Sequence, residues 1–128
     1  YFFDEKPNFF SNPSFFCGDT LFGAGCGRVL GGSAENLYKS LQRISKLPLN
    51  TYVFCAHEYT LSNINFAYHL FPNDEKISQR KKNIENKRTN GTSTIPTTMK
   101  EELETNPFYR CKNLDEFIVM RKQKDLWT

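Results

Sequence analysis

Six of the seven glycines in this 128-residue chain fall between residues 18 and 32, and the densest run is Gly23-Ala24-Gly25-Cys26-Gly27. Glycines at this spacing permit backbone with φ > 0 and close approach of a ligand to the main chain, so the segment is a loop. It is not a phosphate loop, because the Gly-x-x-x-x-Gly-Lys-Ser/Thr pattern is absent. The flanks of this loop then set the fold. Ser14-Phe15-Phe16-Cys17 and Thr51-Tyr52-Val53-Phe54-Cys55-Ala56 are short, aromatic or β-branched, and run straight into polar residues, as buried strands do. Ser33 is placed to cap a helix whose apolar positions Leu37, Leu41, Ile44 and Leu47 keep 3–4 spacing. Strand, glycine loop, helix, strand is the order of an α/β layer.

Beyond Tyr59 the pattern turns helical. Leu61, Ile64, Ala67 and Tyr68 recur at helical spacing, Pro72-Asn73-Asp74 ends that helix and opens a polar one through about Arg88, and Asn90-Gly91 marks a turn. Thr98-Met99-Lys100-Glu101 has the capping-box pattern before a short helix ended by Asn106-Pro107. Asn113 is placed to cap a last helix with Leu114, Phe117 and Ile118 facing inward. The second half therefore reads as helix and loop throughout, and the boundary near residue 58 divides the chain into 1–57 and 58–128.

Twelve Phe and six Tyr supply enough apolar area for a packed core, which argues against a disordered chain. The net charge of +3 neither demands nor forbids an anionic partner. No run approaches the roughly 20 apolar residues of a membrane helix, and Tyr1-Phe2-Phe3-Asp4-Glu5-Lys6 lacks a signal-peptide layout. With no initiator Met and an apolar opening, the chain reads as though its true beginning were missing. Cys17, Cys26, Cys55 and Cys111 contain no C-x-x-C pair, which fits a reduced cytoplasmic protein better than a disulfide scaffold or a zinc ribbon.

Asp19 and His57 each stand just past a predicted strand, at the edge where ligands gather in open α/β sheets. A carboxylate and an imidazole there are suited to sharing a divalent metal or acting as an acid–base pair. The plainer alternative is a turn-capping Asp and a surface His, and spacing alone favours it, because isolated Asp and His residues are common.

The longer strings do carry a resemblance. Cys17-Gly18-Asp19-Thr20-Leu21-Phe22-Gly23-Ala24-Gly25-Cys26-Gly27-Arg28, then Cys55-Ala56-His57-Glu58-Tyr59-Thr60-Leu61-Ser62-Asn63, then Asn106-Pro107-Phe108 and the closing Met120-Arg121-Lys122-Gln123-Lys124-Asp125, resemble in content and order the glyoxalase II branch of the metallo-β-lactamase superfamily. The resemblance implies an α/β fold: the C-terminal half of an αββα sandwich over 1–57, followed by a helical glutathione-binding domain over 58–128. It implies hydrolysis of S-2-hydroxyacylglutathione thioesters such as S-lactoylglutathione, by a hydroxide held between two metal ions, zinc in most members with iron or manganese as alternatives. Such metals lower the pKa of water and take up developing oxyanion charge. Asp19 matches the carboxylate bridging both metals, and His57 matches a ligand of one.

By the same resemblance Arg28, Tyr59, Asn63, Arg121 and Lys124 serve the glutathione, whose two carboxylates call for cations and hydrogen-bond donors. Arg121 and Lys124 lie three apart, as do residues sharing a helix face, and match the pair on the glycine carboxylate. One departure stands out: Leu30 replaces the aromatic residue that commonly lies against glutathione, which bears on affinity and not on the metals. Cys26 has no base assigned to it and reads as a structural thiol.

The superfamily's binuclear site also draws on a Thr-His-x-His-x-Asp-His string and a further His N-terminal to the Gly-Asp-Thr. This chain has two histidines, His57 and His69, and neither precedes Asp19. Even one zinc takes three or four protein ligands. The expectation is a C-terminal half, nearly inactive alone, with exposed Phe-rich surface at Tyr1-Phe2-Phe3, Phe9-Phe10 and Phe15-Phe16 inviting association. Two other readings compete: a different metallo-β-lactamase-fold hydrolase, and a basic helical module built on Lys76, Arg80, Lys81, Lys82, Lys87 and Arg88. The second is disfavoured because Asp74, Glu75 and Glu85 dilute the charge and such a run is more often a solvated face, so neither nucleic acid nor membrane is an expected partner.

Overall fold

The computed structural model describes residues 2–3, 13–18, 20–27 and 33–127. Strand β1 (Phe2–Phe3) pairs antiparallel with β2 (Ser14–Gly18), which runs parallel to β5 (Tyr52–Cys55). Between them lie a small hairpin, β3 (Leu21–Phe22) with β4 (Gly25–Cys26), and helix α1 (Ala34–Ile44). Then follow α2 (Thr60–Leu70), α3 (Glu75–Thr89), β6 (Thr97–Thr98), α4 (Met99–Thr105), a 3-10 turn over Pro107–Arg110, and α5 (Leu114–Asp125). The larger sheet has the order β1-β2-β5-β6. Parallel β2 and β5 joined through α1 make a βαβ crossover, the connection that parallel strands require.

The expected strands and helices form where capping and periodicity place them. The Ser33 hydroxyl accepts the Asn36 amide at 3.0 Å, Asp74 accepts Ile77 at 3.0 Å, and Asn113 accepts Glu116 at 2.9 Å. The Thr98 hydroxyl accepts the Glu101 amide at 3.2 Å, as the capping pattern requires. Each starts a helix by satisfying an otherwise orphaned N–H.

Three expectations need correction. The second half is not wholly helix and loop: Thr97 and Thr98 form β6, which pairs antiparallel with Val53 and Tyr52 of β5. The glycine loop is not irregular but contains the β3–β4 hairpin, with Leu21 opposite Cys26 and Phe22 opposite Gly25. The basic run on α3 is not one solvated face, because Arg80 is 7% exposed and its guanidinium lies 2.8 Å from the buried carboxylate of Glu102. Ile77 and Ile84, three before and four after Arg80, are buried on the same face.

Two apolar clusters hold these elements. The larger joins Cys17 and Val53 of the sheet to Leu41 and Ile44 of α1, Phe66 of α2, Met99 of α4, Phe108 and Phe117. The Phe117 ring meets Phe108 edge-on at 5.7 Å and lies 5.4 Å from Tyr38, tying α5 to both α1 and the 3-10 turn. Burying each such ring is worth about 1.5–3 kcal/mol before ordering costs. The smaller cluster sets Ala24 of the hairpin against Ile64 and Ala67 of α2 and Ile77 and Ile84 of α3. On the other face of the sheet Phe16 stacks on its register partner Phe54 at 4.8 Å and is 44% exposed, whereas Phe15 packs against the larger cluster, and Phe9-Phe10 and the side chains of Tyr1-Phe2-Phe3 lie outside the described residues.

Candidate functional site

Parallel pairing brings the carboxyl ends of β2 and β5 side by side. Gly18 is the register partner of Cys55, and the Ala56 amide donates to the Gly18 carbonyl at 3.2 Å. Gly18 has φ +54°, a left-handed backbone that suits glycine, and it turns the chain out of the strand. Asp19 comes next in sequence and lies outside the described residues, as do Arg28 and Leu30. On the β5 side, exposed His57 stacks its ring on Tyr59 at 5.1 Å and lies 6.0 Å from the Phe22 ring, while Phe22 and Tyr59 are 5.1 Å apart. An imidazole braced by two aromatic rings is held in a restricted orientation at this edge.

Glu58 between them serves a different purpose. Its carboxylate accepts the Thr94 amide at 2.9 Å, the Thr94 hydroxyl, and the Ser93 hydroxyl at 3.0 Å. Partial burial pushes its pKa up, but these bonds and Arg88 at 3.8 Å outweigh that and hold it below the usual carboxylate range. Glu58 thus anchors the strand exit to the loop before β6.

The hairpin is gripped from the helical half at five consecutive residues. The Asn63 side-chain amide donates to Gly23 O at 3.1 Å, and the Ala24 amide donates to Glu102 Oε1 at 2.9 Å. Asn106 Nδ2 donates to Gly25 O at 2.9 Å, and Arg121 Nη1 donates to Cys26 O at 2.9 Å and Gly27 O at 3.1 Å. A Cβ at Gly25 would stand 2.5 Å from Asn63 Nδ2, and one at Gly23 would fall on the Thr60 hydroxyl. The close approach that these glycines allow is therefore to side chains of α2. The left-handed residue in the turn is Ala24, with φ +59°. Breaking the buried Arg80–Glu102 pair behind this grip would cost about 3–5 kcal/mol, since one charge would be left uncompensated.

The residues expected to serve a substrate thus fall into separate settings. Tyr59 is 51% exposed beside His57. Lys124 is half-buried, its ammonium 5.9 Å from the Phe66 ring centroid. Asn63 and Arg121 are 6% and 5% exposed and bind the hairpin backbone, with Arg121 also donating to Asp125 at 2.9 Å. Arg121 Nε is buried without a hydrogen-bond partner. Glu102 and Asn106 are both 0% exposed; the sequence reading passes over Glu102 and takes Asn106 as a helix stop and as part of a resemblance string. Their detectable signal is helical phase: Glu102 is three after buried Met99, and Asn106 four after Glu102.

A metal pair fits these residues in part. The imidazole of His57 at the strand edge suits one ligand, and the Asp19 carboxylate would be a second from the neighbouring strand. Among the described residues no three His, Cys, Asp or Glu side chains gather as a metal would need. The four cysteines are free. Burial pushes the Cys26 thiol up to about 12, and Cys55 is also raised, first by its hydrogen bond with Cys17 and then by burial, so neither is an activated nucleophile. Among the described residues no helix is long and apolar enough to cross a membrane.

The family model described as "Hydroxyacylglutathione hydrolase C-terminus" matches residues 58–127, from Glu58 through α5. A protein named hydroxyacylglutathione hydrolase from Prochlorococcus marinus (strain MIT 9211) is 47% identical over 116 residues, covering 91% of this chain and 46% of that protein. One of the same name from Edwardsiella ictaluri is 49% identical over 107 residues, covering 84% of this chain and 43% of the relative. Another from Haemophilus ducreyi is 47% identical over 116 residues, covering 91% and 49%. The chain spans about half the length of the curated relatives it matches. With more than half of its residues under that family model, the chain belongs to the hydroxyacylglutathione hydrolase C-terminal family.

Proposed function

We propose that this chain is the C-terminal part of a glyoxalase II that hydrolyses S-2-hydroxyacylglutathiones, S-lactoylglutathione among them, to glutathione and a 2-hydroxy acid in methylglyoxal detoxification. The observation that carries this reading is the family match over residues 58–127, reinforced by relatives of that name 47–49% identical across most of the chain. Residues 1–57 are then the end of a metallo-β-lactamase-like domain and 58–128 the glutathione-binding domain. Four free cysteines support a reducing compartment such as the cytoplasm.

In this reading Asp19 and His57 contribute to a metal pair, zinc by preference with iron or manganese as alternatives, and the remaining ligands come from outside these residues. The bound metals would supply an activated water and a counter-charge for the thioester oxygen. The chain's own groups do the rest. Phe22 and Tyr59 brace His57, and Arg28 and Lys124 offer cations to the glutathione carboxylates. The exposed Tyr59 hydroxyl offers a hydrogen bond to the peptide backbone of the substrate. Asn63 and Arg121 act on the substrate through the hairpin they hold, and Leu30 offers only apolar contact. The basic-module alternative loses its cluster, because Arg80 is buried against Glu102, Lys76 bonds Glu104 and Lys81 bonds Glu85.

The test is thiol release from S-lactoylglutathione by the full-length protein carrying this chain, with Arg28→Ala and Lys124→Ala variants. The expected outcome is that each variant raises KM about tenfold, the size of one charge-assisted contact, while kcat stays within threefold. A full-length protein that releases no thiol, or whose KM ignores both variants, overturns the reading. Turnover of a different thioester, lactam or phosphodiester without competition from S-alkylglutathiones would favour another hydrolase of the superfamily.

A further inference from the structure

The hairpin β3–β4 has two residue pairs in its ladder, and an isolated two-stranded hairpin of this size does not hold its place in water. Its position is set by side chains of the helical half. Glu102 lies at the centre of that arrangement. Its Oε1 accepts the Ala24 amide at 2.9 Å and Asn106 Nδ2 at 3.0 Å, while its Oε2 accepts the Thr97 hydroxyl at 2.8 Å and Arg80 Nη2 at 2.8 Å. All four partners are donors, and the two carboxylate oxygens accept from them together. Asn106 extends the grip: its Nδ2 also donates to Gly25 O at 2.9 Å and its Oδ1 accepts the Phe108 amide at 3.0 Å.

We infer that Glu102 and Asn106 are positioning residues for the thioester hydrolysis, holding the Ala24–Gly25 turn and through it both ends of the hairpin. The residue before Thr20 is Asp19 and the residue after Gly27 is Arg28, and the Gly27 amide donates to Thr20 O at 3.0 Å, closing the base of the hairpin. One rigid hairpin thus separates, in sequence, a proposed metal ligand from a proposed substrate cation. Its displacement alters both, and misplacement of about 1 Å can cost 10²-fold in rate. The inference rests on the functional reading above.

The test uses the full-length protein as wild type and as Asn106→Ser, Glu102→Gln and Asp74→Asn variants. Asn106→Ser removes the donor to Gly25 and Glu102 yet leaves a hydroxyl to cap Phe108, so it carries the test if Glu102→Gln fails to fold. Asp74→Asn is the stability control, because it weakens the 2.7 Å contact with Arg110 far along the chain from the hairpin. Kinetics with S-lactoylglutathione are measured well below each variant's Tm, alongside amide hydrogen exchange at Ala24 and Gly27. The expected result is a kcat/KM at least tenfold lower for Asn106→Ser and for any folded Glu102→Gln, with KM raised and kcat lowered together, and with faster exchange at both amides. Asp74→Asn lowers Tm and leaves kcat/KM within twofold. An active wild type whose Asn106→Ser variant loses Tm but keeps kcat/KM overturns the inference alone. An inactive wild type overturns the functional reading and removes the reaction these residues are proposed to serve, while unchanged exchange would also overturn the grip itself.

Discussion

At the scale of single residues, the turn of the hairpin shows two opposed effects of one methyl group. Gly25 cannot carry a Cβ, because Asn63 Nδ2 would lie 2.5 Å away and is bonded to Gly23 O. Gly25→Ala is expected to destabilise the protein by about 1–3 kcal/mol, the usual cost of overpacking, which thermal unfolding would show as a lowered Tm. Ala24 is the converse. Its φ of +59° costs about 1 kcal/mol for a non-glycine residue, but its methyl is 1% exposed against Ile64 and Ile77 and returns about 0.8 kcal/mol. Ala24→Gly should therefore change stability by less than about 1 kcal/mol in the same assay. Cys26 gives a chemical readout of the same packing. With its thiol pushed up to about 12 by burial, it should resist iodoacetamide at pH 8 in the native protein and react fully once the protein is unfolded. Rapid native alkylation, located by mass spectrometry, would contradict the placement.

At the scale of elements, most of the layout is legible in the sequence alone. The strands at 14–18 and 52–55 follow from aromatic and β-branched runs that end abruptly in polar residues, and Ser33, Asp74, Thr98 and Asn113 mark their helix starts by side-chain chemistry that acts locally. What was hidden depends on distant partners. Strands β3, β4 and β6 are two residues each, too short for periodicity, and are held by neighbours far along the chain, Asn106 binding Gly25 across 81 positions. Arg80 sits among lysines and gives itself away only by sharing a face with Ile77 and Ile84. The cap of α3 makes an element-scale prediction. Asp74 is held below its usual pKa by the Ile77 amide first and by Arg110 next. A carboxyl whose folded pKa is depressed adds stability above its unfolded pKa, near 3.8, and loses it as pH falls through the lower folded value. Asp74→Ala is expected to lose about 1 kcal/mol at neutral pH, and the difference from wild type should shrink in acid below about pH 4. Urea titrations at both pH values would check this; a constant difference would contradict it.

At the scale of the whole molecule, residues 58–127 are joined to the preceding elements through side chains as well as through the sheet. Glu58 ties the β5 exit to Thr94, β6 of the helical half completes the sheet edge, and Glu102 and Arg121 reach across 78 and 95 positions to the hairpin. This explains why the site was only partly legible in the sequence. The strings around Asp19 and His57 are contiguous and carry their resemblance openly. The resemblance assigns Asn63 and Arg121 to the substrate, but the strings do not report what lies against those side chains, and here both bind the hairpin backbone. The chain holds two histidines, and His69 is spent against Trp127 at 4.9 Å, which leaves His57 as the imidazole at the strand edge. We propose that these residues form the substrate-binding part and a fraction of the metal site of a glutathione thioester hydrolase. The direct measurement is thiol release from S-lactoylglutathione, with zinc supplied, by the 128-residue chain and by the full-length protein side by side. Turnover by the full-length protein and none above the uncatalysed rate by the 128 residues is the predicted result. Equal turnover by the two, or none by the full-length protein, would contradict it.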